Sequence, residues 1–324
     1  AAYNEAEAAA AIAAHLGTEH TQLTITEQDA KAVLPKLSHM FGEPFADSSQ
    51  IPTYLVSKLT REHVTVSLSG DGGDELFCGY GTYQSITNAW NKIRKIPQPV
   101  RSAAGYFLTD GPFSKKETNQ IRGMLLSAHN AEELYARSDL SEPFLGKIAK
   151  ERGSARSIFE IYESGYLADV QHNLMLMDLL MYHPDDILVK VDRTAMAVSL
   201  ETRVRMLDKD VVEFAWSLPV WMKWENGRGK LVLRDVLYRH VPRELMERPK
   251  KGFSIPIQKW LKEPELYAWA ESLLKEDKIR QEGYFDPEMV TRLWKDFTQR
   301  GIWRKQIWHI LRFEDWLEQE YRKP

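Results

Sequence analysis

Hydrophobic spacing along the chain switches between a helical period and short strand-like runs. From Asn4 to Leu16 an alanine-rich stretch reads as a helix, closed by Gly17 where a left-handed end is favoured. Gln22-Leu23-Thr24-Ile25 alternates and predicts a short strand. Thr26 and Asp29 have capping-box spacing and open a predicted helix reaching about Met40, with Val33, Leu34 and Leu37 on one face. Phe41 to Ser49 predicts a loop, and Pro52 suits the first turn of a helix ending near Arg61. Val64-Thr65-Val66-Ser67-Leu68 is β-branched and apolar with small polar residues between, a short buried strand. Strand, helices, strand, glycine-rich turn and helix make an α/β pattern with parallel strands.

The remainder is mostly helical in pattern. Tyr83 to Gly153 breaks at Ile96-Pro97-Gln98-Pro99 and Thr109-Asp110-Gly111-Pro112, and carries no recognisable chemistry. Ser157 to Tyr182 places Ile158, Ile161, Leu167, Leu174 and Leu179 at mainly helical spacing, and His183-Pro184 ends it. Asp186 to Leu200 predicts a helix with Leu188, Val191, Ala195 and Val198 on one face and Lys190, Asp192 and Arg193 elsewhere. The Arg228-Gly229-Lys230 turn leads into a helix carrying Leu231, Leu233 and Val236. Asp286-Pro287 starts a further helix, and Trp303, Ile307, Ile310, Leu311 and Leu317 form the apolar stripe of the last one. Three parts result: an α/β nucleotide-binding layer over 1–90, incomplete at its start; a helical part over 91–262; and a C-terminal helical segment over 263–324.

Composition narrows the class. With 324 residues the chain can bury a substantial core. Its net charge of −3 and the lack of a basic block give no support for nucleic acid or an anionic membrane. No apolar run is long enough to span a bilayer, so the cytoplasm is the expected compartment. Cys78 is the only cysteine, which excludes an intramolecular disulfide and a cysteine-rich zinc site. His172 and His183 lack companions at ligand spacing and read as packed or exposed side chains.

Chemistry concentrates in Ser69-Gly70-Asp71-Gly72-Gly73, followed by Asp74-Glu75. A glycine-rich strand-to-helix turn lets another molecule approach the main chain, and its N–H groups favour an anion. Carboxylates there would repel a phosphate directly, so Asp74 is the candidate ligand for a Mg²⁺ that bridges to phosphate oxygens. Read without that chemistry, Asp74 merely caps a helix and the glycines merely make the corner. Arg248-Pro249-Lys250-Lys251-Gly252-Phe253 is a basic turn, which reads either as an ordinary surface loop or, by its adjacent lysines, as a clamp for phosphate charge.

These stretches carry a resemblance. Leu68 to Tyr80 resembles the LSG(E/D)GxDExFxGY motif in the synthetase domain of glutamine-dependent asparagine synthetases. Asp186 to Val204 resembles that family's second block, and Arg248 to Phe253 with Pro256 and Trp260 resembles its third, with Gly229 to Arg234 between them in family order. The resemblance implies part of a parallel-sheet adenine-nucleotide α-hydrolase-like (ATP-pyrophosphatase) domain with a large helical remainder. It implies ATP-dependent adenylation of aspartate and amidation by ammonia, with ATP and Mg²⁺ required. It assigns Ser69, Gly70, Asp71 and Gly72 to the nucleotide, Lys190 and Asp192 to the nucleotide cleft, Asp74 to Mg²⁺ and Lys250 to the departing pyrophosphate. Asp71 takes the place of the carboxylate that helps deprotonate ammonia; many members have glutamate there.

The family's serine-glycine-glycine-x-aspartate-serine loop and its amino-terminal glutaminase domain have no counterpart in the sequence. The chain is therefore expected to be a fragment of a longer enzyme, with a glutaminase domain as its ammonia source and a homodimer compatible with what is seen. Two other readings stay open: a related amidotransferase or β-lactam-forming enzyme acting on another carboxylate, and a non-catalytic interaction module that retains half a nucleotide site.

Overall fold

The computed structural model describes residues 6–111, 113, 117–139, 148–150, 167–247 and 255–321. Helix α1 spans Ala6–Leu16. The strand expected at Gln22–Ile25 does not form: the segment is irregular and largely exposed, and among the described residues no strand lies beside it to complete a ladder. Helix α2 (Glu27–Val33) starts at the predicted capping box, with Asp29 N–H donating to Thr26 Oγ1 at 3.2 Å and Thr26 N–H donating to Asp29 Oδ2 at 2.9 Å. Pro35 tightens Leu34–Lys36 into a 3₁₀ turn, so the predicted long helix is split, and α3 (Leu37–Phe41) ends at the left-handed Gly42. Helix α4 (Gln50–Arg61) leads to strand β1 (Val66–Ser69), the glycine turn and the single-turn helix α5 (Gly73–Leu76).

Four helices follow among the described residues: α6 (Gly81–Ile93), α7 (Gln98–Thr109), α8 (Glu117–Leu126) and α9 (Ala131–Asp139). Helix α10 (Val170–Leu180) runs into a wide π turn over His183–Leu188, where Pro184 cannot donate to the preceding turn. Helix α11 (Val189–Met196) is shorter than the run predicted to Leu200. Ser199 turns left-handed at φ 58° and releases the chain into strand β2 (Glu201–Val204). Strands β1 and β2 pair in parallel with Val66 opposite Glu201 and Ser69 opposite Val204. After α12 (Lys209–Ser217) and α13 (Val220–Lys223), Asn226 and Gly227, both at positive φ, close a small antiparallel hairpin of β3 (Trp224–Glu225) and β4 (Arg228–Gly229). Helices α14 (Leu231–Leu237) and α15 (Arg243–Met246) follow, and α16 (Ile257–Trp260) opens the C-terminal set. That set continues with α17 (Pro264–Leu273), α18 (Glu276–Glu282), α19 (Pro287–Arg300) and α20 (Lys305–Trp316).

The architecture is thus α/β with mostly helices and a small parallel sheet. One core joins the early helices to the C-terminal ones, with Leu37, Phe41 and Ile51 packed among the same cluster as Trp260, Leu293 and Leu311. A polar clasp reinforces it: Arg312 donates to Ser38 Oγ at 2.9 Å and to Asp315 Oδ2 at 2.8 Å, while the Trp316 indole donates to Gly42 O at 3.1 Å. A second cluster holds Tyr83, Leu134, Leu174 and Met177, and a third holds Leu76, Phe77, Ala215 and Leu218 directly behind the glycine turn.

Candidate functional site

The turn leaves β1 at its carboxyl end. Gly72 sits at φ 88°, and a β-carbon there would lie 3.0 Å from Leu207 Cδ2, so both conformation and space call for glycine. Ser69 Oγ donates to Asp71 Oδ2, and the Asp71 N–H donates back to Ser69 Oγ at 3.2 Å, which fixes the turn's first corner. Because α5 is a single turn, its dipole adds little.

The next carboxylates point in different directions. Asp74 Oδ2 meets Lys230 Nζ at 2.9 Å, and the two cross where Gly79 passes: a β-carbon on Gly79 would fall 2.0 Å from Asp74 Oδ1 and 2.4 Å from Lys230 Cε. Glu75 is buried behind the turn, accepts from Tyr80 Oη at 2.7 Å and lies 3.6 Å from His183 Nδ1. Burial alone would raise the Glu75 carboxyl, but His183, the Tyr80 hydroxyl and the backbone outweigh it and hold its pKa below the ordinary value. Deeper still, Tyr83 and Tyr135 both donate to Asp178, at 2.6 and 2.7 Å.

Helix α11 brings a second polar group nearby. Lys190 Nζ lies 2.5 Å from Asp47 Oδ2 and 3.5 Å from Asp186 Oδ1. Asp47 is held below the usual carboxylate range, since Lys190 and Ser49 outweigh the effect of its burial. Asp186 goes the other way: burial and the adjacent Asp47 charge push it up to about 7, against the opposing pull of Lys190. Asp47 and Asp186 line a cavity of about 760 Å³, which Tyr182 also borders. Tyr182 lies edge-on to Tyr80 at 6.2 Å, so one aromatic contact connects this cavity to the residues behind the glycine turn.

A family model described as asparagine synthase matches residues 1–318. The chain belongs to the asparagine synthase family. It is 30% identical over 325 residues to asparagine synthetase [glutamine-hydrolyzing] 1 of Bacillus subtilis, covering 97% of this chain and 50% of that protein. It is 33% identical over 278 residues to a putative asparagine synthetase [glutamine-hydrolyzing] of Mycobacterium bovis, covering 83% of this chain and 41% of that one. A Methanocaldococcus jannaschii relative, a putative asparagine synthetase [glutamine-hydrolyzing] 2, is 33% identical over 209 residues, or 60% of this chain and 38% of that protein. The chain spans half or less of the length of these relatives.

In this member of the family the structure gathers Ser69, Gly70, Asp71, Gly72 and Asp74 at one turn. Lys190 and Asp192 are separated. Lys190 is buried against Asp47 and Asp186, whereas Asp192 is exposed on a cavity of about 730 Å³ that it shares with Lys36, Tyr54 and Met196. Lys250, with the rest of 248–254, lies outside the described residues. No three His, Cys, Asp or Glu side chains converge as a metal cage among the described residues. Asp74, the carboxylate expected to take Mg²⁺, is paired here with Lys230 at 2.9 Å.

Sequence reasoning passed over Asp47, Lys230 and the role of Asp186. A signal was present for one of them: Asp186 stands four residues before Lys190, the spacing that joins side chains on a helix. The 143-residue separation of Asp47 and Lys190 left no such trace.

Proposed function

We propose that this region is the synthetase part of a glutamine-dependent asparagine synthetase. It would adenylate a carboxylate with ATP, aspartate being the acceptor the family name indicates, and amidate it with ammonia. The observation that carries the reading is the turn at the end of β1, where left-handed Gly72 opens the backbone and Ser69, Asp71 and Asp74 surround the opening, within a chain that the family model matches almost throughout. An ATP-pyrophosphatase type of fold, completed by polypeptide outside this region, belongs to the same proposal.

The acceptor carboxylate oxygen attacks the α-phosphorus, the bond to the β-phosphate oxygen breaks, and pyrophosphate leaves. Ammonia then attacks the acyl carbon, loses a proton and expels AMP. Ser69, Gly70 and Gly72 bind the AMP portion. Asp71 takes the proton from the attacking nitrogen in this reading, and its hydrogen bond from Ser69 would orient it. Asp74 is the carboxylate for Mg²⁺, which when bound neutralises charge on the phosphates. Lys250 neutralises the departing pyrophosphate. Ammonia comes from a glutaminase domain, as the names of the relatives suggest.

The test is pyrophosphate release from Mg²⁺-ATP, ammonium and aspartate, using this chain, a version lengthened upstream through the serine-glycine loop, and its Asp74→Ala variant. The lengthened protein should turn over, and Asp74→Ala should lower the rate on the order of 100-fold. A lengthened protein that binds no ATP sinks the enzymatic reading of the turn.

A further inference from the structure

Helix α7 carries its apolar residues on the side that faces solvent. Pro99, Val100, Ala103, Tyr106 and Phe107 have the spacing of one helix face. All five are exposed, Val100 at 56%, Tyr106 at 62% and Phe107 at 54%. Phe113, just past the end of the helix, is exposed at 62%. A surface helix ordinarily does the reverse, burying its apolar stripe and showing polar residues to water. Here the opposite face is the one used for packing. A β-carbon on Gly105 would lie 2.8 Å from Gly123 O, and one on Gly123 would lie 2.7 Å from Gly105 O, so α7 and α8 touch backbone to backbone. Arg101 ties the base of this hairpin: it is buried and donates to the carbonyls of Ile96 and Leu126, each at 3.1 Å, and of Ala128 at 2.5 Å. The apolar face is thus held outward by a fixed support.

Charge narrows what fits against it. The chain's net charge of −3 averages over a local excess: between 91 and 126, seven Lys or Arg stand against only Asp110 and Glu117. Lys92, Arg94 and Lys95 are exposed immediately before α7, and Arg122 is exposed on α8. An apolar helix face with aromatic rings and basic residues at its margin is the composition that lies in the headgroup layer of an anionic bilayer. A second copy of the chain would bring the same positive excess against itself, and like charges disfavour that pairing. A nucleic acid would engage the cations and stack on single rings, leaving the aliphatic part of the face unused.

We propose that the outer face of α7, continued by Phe113, is a docking surface for an anionic lipid bilayer. Val100, Tyr106 and Phe107 enter the interface, and Lys92, Arg94, Lys95 and Arg122 meet lipid phosphates. The helix lies on the bilayer without crossing it; no described helix is long and apolar enough to span one. Nothing in this docking uses the glycine turn, so it stands apart from the function proposed above.

Cosedimentation of the chain with vesicles of phosphatidylcholine alone, and of phosphatidylcholine and phosphatidylglycerol in equal parts, tests it. Affinity should be about tenfold or more higher on the mixed vesicles and should fall as salt is added. Tyr106→Ser combined with Phe107→Ser should weaken binding about tenfold, and Lys92→Gln combined with Lys95→Gln should do the same. All four positions are exposed, so circular dichroism of these variants should match the parent. Leu68→Gln, which removes an exposed apolar side chain from β1, should leave vesicle binding unchanged. Equal binding to both kinds of vesicle, or no binding of the folded chain to either, would overturn the proposal. Undiminished binding by the serine variant would reduce the surface to a general polyanion patch, and loss of binding in Leu68→Gln would move it to β1; either result also overturns it. A dimer in sedimentation velocity that the serine variant splits, without vesicle binding, would make a second copy the occupant instead.

Discussion

Lys223 shows what one misplaced charge is worth. It is fully buried at the end of α13, 3.2 Å from His172 Nε2 and 5.2 Å from the centre of the Trp216 ring. Asp169 lies behind His172, 3.5 Å from its Nδ1. Burial lowers the Lys223 pKa from 10.5 to about 8, with a small opposing effect from Cys78, whose own thiol is pushed up by burial to about 12. A lysine depressed in the folded state binds fewer protons than in the unfolded chain between those two values. Stability therefore rises with pH from about 8 to 10.5, and below 8 the charged, buried ammonium exerts its full cost. At about 1.4 kcal/mol per pKa unit the cost is roughly 3 kcal/mol, and losing the donor to His172 returns roughly 1 kcal/mol of it. Lys223→Met should accordingly stabilise the protein by about 1–2 kcal/mol at pH 7, seen as a higher midpoint in urea. The gain should vanish above pH 10.5; a constant gain across that range would show that the lysine's charge is not what is being removed. The lone cysteine beside it reads the same way as from sequence, a packed side chain, with a thiol too high in pKa to act as a nucleophile.

Among the elements, the strand–turn–helix unit depends on how closely β4 and the turn after α5 can approach. Gly79 makes room for the Asp74–Lys230 pair, and a β-carbon on Gly229 would lie 2.1 Å from Cys78 O. Gly81, two residues on, has nothing within 4 Å of where its β-carbon would be. Gly79→Ala must part Asp74 from Lys230 or displace backbone, and should cost about 1–3 kcal/mol as overpacking does. Its ATP affinity should fall with it if Asp74 serves the nucleotide. Gly81→Ala, at the start of α6, should be neutral or stabilise by about 0.4–1 kcal/mol. Denaturation midpoints of the pair decide the matter, and equal behaviour would mean that the crossing is not as tight as described. The turn itself was readable because its signals are local: a β-branched run, three glycines in a short span, and acidic residues at the helix start. Its partner strand β2 was not readable, since Glu-Thr-Arg-Val has no apolar alternation and gains its place by pairing with β1. Gln22–Ile25 failed in the opposite sense, having the alternation but, among the described residues, no strand to pair with. The helix over Thr26–Met40 was right in its cap and its apolar face and wrong in its continuity, because Pro35 tightens the turn without diverting the chain. The pairing of Lys190 with Asp47 depends on the packing of α4 and α11 and of the loop before α4, which no window of sequence contains.

For the whole molecule, the parallel sheet is the part least like a finished one. Parallel sheets are ordinarily covered on both faces, because their crossovers lay helices there. Here β1 pairs with β2 alone among the described residues, and its apolar side chains face outward, Leu68 being 69% exposed and Val66 47% exposed, with Val64 at 43% just before them. Burying Leu68 fully would be worth about 1.5–3 kcal/mol, and the free edge of β1 offers unpaired backbone groups to any other strand. The relatives are about twice as long as the region matched here, so polypeptide is available in them to cover such a surface. This chain alone should bind a hydrophobic dye such as anilinonaphthalene sulfonate and self-associate as its concentration rises, while the version lengthened upstream should do neither. Leu68→Lys should suppress both behaviours in the shorter chain and destabilise the lengthened one, where the position would be covered. Hydrogen exchange at the amides of Val66 to Ser69 gives the same comparison without a mutation: slow only in the lengthened protein if a further strand pairs there. Equal exchange in both would mean that the sheet ends at β1, and the nucleotide turn would then have to work from an edge strand with one neighbour.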